Sequence, residues 1–68
     1  MLSEVRLKLL ELNLQWPKEV PLEELRFWIL GQISDSGEPL RWAITAIHST
    51  GDDLAIFQLK VEAVVMIS

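Results

Sequence analysis

Every odd-numbered residue from Ala55 to Ile67 is apolar, and Gln58, Lys60 and Glu62 hold even positions between them. Successive side chains on a strand point to opposite faces, so this period of two reads as a strand with one covered face and one wet face. The same alternation runs through Leu40, Trp42, Ile44 and Ala46. The stretch "HSTGDD" between the two runs supplies turn chemistry, with Gly51 free to take positive φ. Residues 40–48 and 54–67 are therefore expected to form an antiparallel hairpin.

Two registers fit the apolar faces. One pairs Ala46 with Ala55 and sets Arg41 opposite Lys60; the other pairs Ala46 with Phe57 and Trp42 with Val61, and brings Arg41 opposite Glu62. Cross-strand charge favours the second and the shorter loop favours the first. In the second, reversing the charge of Glu62 costs more than reversing that of Lys60. In both, the first strand begins near Leu40 and runs out before Val64, Val65, Met66 and Ile67. Those four residues then form an apolar strand edge without a hairpin partner, which natural proteins normally cover.

Upstream, Pro17 and Pro21 exclude regular helix across "NLQWPKEVP". Pro21 suits the first position of a helix, with Glu23 and Glu24 complementing the dipole in its first turn. Leu22, Leu25, Ile29 and Ile33 make its apolar stripe, widened by Trp28, and "SDSGEP" ends it between Gly31 and Ser34. Residues 2–14 read two ways. As a helix, Leu2, Val5, Leu9 and Leu12 share one face while Glu4, Lys8 and Glu11 share another. As a strand, Val5, Leu7 and Leu9 alternate with Arg6 and Lys8 until Leu10 breaks the pattern. The Leu, Glu and Lys content favours helix. The expected fold is thus α+β in one domain spanning residues 1–68, with two helices packed on a C-terminal antiparallel β-hairpin. The alternative makes the N-terminal segment a third strand, in the order β-α-β-β.

The chain has 68 residues, half of them hydrophobic, and no cysteine. A domain this small buries only about 60% of the surface its unfolded chain exposes, and without disulfides it gains most from association. A homodimer joined at the 64–67 tail follows, unless residues 5–10 cover that edge as a strand. The net charge of −4, with no basic stripe, argues against nucleic acid and against an anionic membrane surface. Neither a secretory leader nor a run of about 20 apolar residues is present, so a cytoplasmic setting is expected.

Chemistry-bearing residues are sparse. His48, the sole histidine, sits beside Ser49, Thr50, Asp52 and Asp53 and reads as a solvated turn residue. The two adjacent carboxylates of "TGDD" are too few to cage a hard cation. "SDSGEP" lacks phosphate-cradle spacing. No catalytic, cofactor-binding or metal-binding residue is assigned, and no cofactor is expected. Arg41 and Trp42 are the types enriched among interface anchors, on opposite faces of one strand. Phe27 lies off the helical stripe, one turn before Gly31. Phe27, Arg41, Trp42, Val64, Val65, Met66 and Ile67 are the candidate interface residues.

Residues 16–67, "GEPLRWAIT" (37–45) above all, resemble a set of short cyanobacterial proteins of unknown function. That resemblance implies a cytoplasmic protein of photosynthetic organisms and carries no catalytic residues. The residues themselves favour a non-enzymatic protein–protein interaction or assembly module that associates with itself. A small-ligand or regulatory domain using Arg41 and the acidic loops is the second reading.

Overall fold

A computed structural model describes residues 5–49 and 56–67. Its elements are β1 (Arg6–Gln15), α1 (Leu22–Ser34), β2 (Glu38–Ser49) and β3 (Phe57–Ile67), so the order is β-α-β-β. The three strands form one antiparallel sheet in the order β1-β3-β2. Both outer strands run antiparallel to β3. They are therefore parallel to each other, and α1 must cross the sheet over β3 to connect them.

That crossing decides the core. Leu59, Val61, Ala63 and Val65 of β3 point at the helix and are buried, against Leu25, Ile29 and Ile33 of α1. Three of the four stripe residues thus meet the odd-numbered face of β3 as their periods require, whereas Leu22, in the first turn, is 71% exposed and outside the core. Leu10, Leu12, Leu14, Trp28 and Trp42 flank this cluster, half-buried. The helix starts after Pro21, whose extended backbone (φ −71°, ψ 160°) occupies the N-cap position, and its first turn carries Glu23 and Glu24. Between β1 and α1, the Trp16 indole Nε1–H donates to the Val20 carbonyl at 2.7 Å, closing the proline-bounded connector. The Trp16 ring also packs against Phe57, with centroids 5.8 Å apart.

The expected first helix is overturned: residues 6–15 are a strand paired with β3 from Arg6↔Ile67 to Gln15↔Gln58. The helical propensity of Leu, Glu and Lys is a weak preference, and an isolated helix of this length is marginal in water. Pairing along a central strand satisfies the backbone groups of alternate residues of β1 and sets Leu10, Leu12 and Leu14 beside Ala63, Val61 and Leu59. The chain therefore has one helix on a three-stranded sheet, and not two helices on a hairpin.

Both expected hairpin registers are overturned as well. Trp42 faces Ala63, Ile44 faces Val61, and Arg41 faces Val64, so Arg41 lies opposite neither Lys60 nor Glu62. The register shifts between Pro39 and Arg41 and again between Ile44 and Ala46. Each shift inserts an extra residue, Leu40 and Thr45, and a strand with bulges cannot keep the strict alternation that register arguments assume. The Thr45 hydroxyl donates to the Lys60 carbonyl at 3.2 Å, tying the second bulge to β3. The turn residues 50–55, Gly51 among them, lie outside the described residues.

The 64–67 tail is no free edge. β2 begins at Glu38, opposite Met66, and β1 covers the other side through Leu7↔Met66 and Leu9↔Val64. Gly37 makes the close approach of β2 to the end of β3 possible. A Cβ there would lie 2.9 Å from the Met66 carbonyl oxygen and 2.9 Å from the Ile67 Cγ2.

Candidate functional site

One sheet face is covered by α1; the other carries no layer among the described residues. By the observed registers, the uncovered face presents Leu7, Leu9, Glu11, Asn13 and Gln15 from β1. Gln58, Lys60, Glu62, Val64 and Met66 of β3 lie between these and Arg41, Ala43, Ala46 and His48 of β2. The face is divided along its length. Leu7, Leu9, Val64 and Met66 form an apolar end, with Leu9 82% exposed and Leu7 64% exposed. Glu11, Asn13, Gln15, Gln58 and Lys60 form a polar end, where the Lys60 ammonium pairs with the Glu11 carboxylate at 3.5 Å.

A shallow groove of about 460 Å³ crosses the middle of the face, lined by Leu9 and Glu11 on one side, Glu62 and Val64 on its floor, and Arg41, Ala43 and Thr45 on the other. Its chemistry is an apolar wall beside one guanidinium and two carboxylates. A guanidinium fork is of the type that can take a planar carboxylate bidentately, and an aliphatic wall is of the type that can pack a hydrocarbon side chain.

The expected interface residues do not form one patch. Arg41, Val64 and Met66 share the uncovered face. Val65 is fully buried beneath α1, and Trp42 and Ile67 pack beside the core on that same covered side. Phe27, 72% exposed, sits on the outward side of α1, two residues from both buried Leu25 and buried Ile29. The sheet therefore separates the set into a trio on the uncovered face, with Arg41 exposed and Val64 and Met66 half-buried, a packed trio and a lone aromatic. His48 lies at the polar end opposite Gln58, apart from the groove lining. Asp52 and Asp53 lie outside the described residues. Among the described residues no group of three or more His, Asp or Glu gathers as a metal-holding cluster. No helix among them is long and apolar enough to cross a membrane.

Leu7 and Leu9 are the site residues that sequence reasoning missed. The signal was present as a change of parity. Val5, Leu7 and Leu9 are odd, while Leu10, Leu12 and Leu14 are even. The step from Leu9 to Leu10 looks like a broken strand pattern, yet it marks where apolar side chains pass from the uncovered face to the helix-covered one.

The sequence profile of a domain of unknown function (DUF8621) matches residues 8–67, which takes in all of α1, β2 and β3 and nearly all of β1. The chain belongs to that family. No curated protein and no solved structure matches it. The family's matched span contains the groove residues and the apolar end except Leu7.

Proposed function

We propose that this DUF8621 chain is a non-enzymatic protein–protein interaction and assembly module, and that it associates with itself. The observation that carries the reading is the apolar end of the uncovered face, Leu7 and Leu9 beside Val64 and Met66, in a chain whose described core holds seven buried residues. Apolar surface on that scale, rimmed by Arg41, Glu11 and Glu62, is the anatomy of a contact patch with a polar border. A helix of 13 residues is about 20 Å long, whereas the 12-residue β2 spans about 40 Å, so α1 cannot shield the whole sheet even on its own side. The cytoplasmic setting, and the tie to short cyanobacterial proteins through "GEPLRWAIT", belong to the same reading. The test is capture of a defined partner by the immobilised chain, compared with Val64→Glu, which places a charge in the middle of the patch. Undiminished capture by Val64→Glu would remove the uncovered face from the account.

The groove favours one second reading, a small-ligand or regulatory site in which Arg41 binds a carboxylate. A ligand that binds only the folded state raises the melting temperature, and the rise grows with the logarithm of ligand concentration above Kd. A thermal-shift screen of small carboxylic acids, repeated on Arg41→Ala, separates the two readings.

A further inference from the structure

We infer that the open edge of β1 docks an extended segment of another protein, added antiparallel, with alternate apolar residues leading to one acidic residue opposite Lys8. This goes beyond the assembly reading above, which uses the uncovered face, and does not depend on it. β1 is an outer strand, and among the described residues no strand pairs with its far side. The other outer strand, β2, carries Pro39 and two register shifts, devices that discourage edge-to-edge pairing. β1 has neither, because its register with β3 is unbroken from Arg6 to Gln15.

The hydrogen-bonding phase of β1 gives the direction of its backbone groups. The Trp16 N–H donates to the Phe57 carbonyl at 2.9 Å, and this pair continues the β1–β3 register. In an antiparallel ladder, alternate residues turn both N–H and C=O to the same neighbour. Even residues of β1 therefore bond to β3, and Leu7, Leu9, Glu11, Asn13 and Gln15 direct their backbone groups outward. An added antiparallel strand bonds to these odd residues. The even ones then fall in its non-hydrogen-bonded pairs, where opposed Cα atoms are about 4.5 Å apart and side chains are closest.

The even side chains lie on the α1 side of the sheet and make a pattern. Leu10, Leu12 and Leu14 are half-buried against the core, so each keeps apolar surface beside the open edge. Lys8 stands on the same side, opposite buried Val65. It is exposed and has no ion pair among the described residues. A charge on the inward side of an edge rejects strands that would cover it without an opposite charge. A carboxylate opposite Lys8 turns that rejection into attraction, which makes Lys8 the selecting residue. The complementary segment, read in its own direction, places apolar residues opposite Leu14, Leu12 and Leu10 and an acid opposite Lys8. Main-chain bonds along such an edge supply affinity, and the alternate side chains supply specificity.

A second copy of β1 does not meet this pattern. Outward backbone groups lie on the odd residues of both copies, so even residues oppose even ones. Glu11, the acid of β1, is odd and cannot stand opposite Lys8.

The probes are two blocked peptides, Val-Thr-Val-Thr-Val-Thr-Glu and its counterpart ending in Lys, titrated into the full chain and followed by amide NMR. The Glu peptide should slow solvent exchange at the Leu9, Glu11 and Asn13 amides. Leu10 and Leu12, already bonded to β3, should be unchanged. The Lys peptide should bind about threefold more weakly or worse. Lys8→Glu, a substitution at an exposed position, should reverse the order of the two peptides. No protection of the odd amides by either peptide at millimolar concentration overturns the docking strand. Shifts centred on Val64 and Met66 put the peptide on the uncovered face and overturn the edge. A preference that Lys8→Glu leaves in place overturns the acid opposite Lys8. Odd amides already protected without peptide, in a chain that sediments as a dimer, overturn the partner in favour of a second copy.

Discussion

Glu11 on β1 stands directly across from Glu62 on β3, and the lysine that compensates them, Lys60, reaches Glu11 diagonally at 3.5 Å. The sheet therefore holds two like charges in register, with the Lys60 ammonium beside Glu11. The order of charge reversals inverts relative to a hairpin with Arg41 opposite Glu62. Lys60→Glu adds a third carboxylate and should destabilise, whereas Glu62→Lys converts a repulsion into an attraction and should stabilise. Each effect should fall within about 0.2–1 kcal/mol and shrink in high salt, because the groups are exposed. Urea midpoints at low and high ionic strength measure both.

Gly37→Ala should destabilise by about 1–3 kcal/mol, the usual cost of forcing atoms into an occupied site. Its Cβ would meet the Met66 backbone oxygen, which cannot rotate away, and the glycine φ of 157° is one that side chains rarely adopt. A fall in urea midpoint with an unchanged slope is the expected result. Unchanged stability would mean that the end of β3 sits farther from the α1–β2 loop.

Gly31→Ala should do the opposite. Gly31 lies inside α1, and a Cβ there meets nothing within 4 Å. The substitution recovers about 0.5–1 kcal/mol of helix propensity, about 4–8 °C in melting temperature for each kcal/mol in a domain this size. Calorimetry reads it directly. A chain stabilised by Gly31→Ala but impaired in partner capture would assign the outer face of α1, where Phe27 projects, to a contact.

Trp16→Phe keeps an aromatic ring against Phe57 but leaves the Val20 carbonyl without its indole donor. The loss should be about 0.5–1.5 kcal/mol, the net worth of one hydrogen bond. A stability equal to the parent chain would show that water replaces the indole at no cost.

The sequence by itself determined the elements whose burial follows a single period. The stripe Leu25–Ile29–Ile33 and the run Leu59–Val61–Ala63–Val65 are each apolar at one spacing, because each turns one face to the core, and both are buried. Pro21 and the "SDSGEP" loop bounded α1 for local reasons of φ and hydrogen bonding. Tertiary structure alone decided the rest. Residues 6–15 carry apolar groups on both faces, so neither period dominates, and their state depended on the vacant flank of β3. The bulges at Leu40 and Thr45 shift pairing by steps that no alternation rule contains. Leu7 and Leu9 became a surface only when the strand register set them beside Val64 and Met66, on the face that α1, crossing on the other side, leaves uncovered. Local spacing states which side chains can share a face; which face is covered depends on where the chain crosses the sheet.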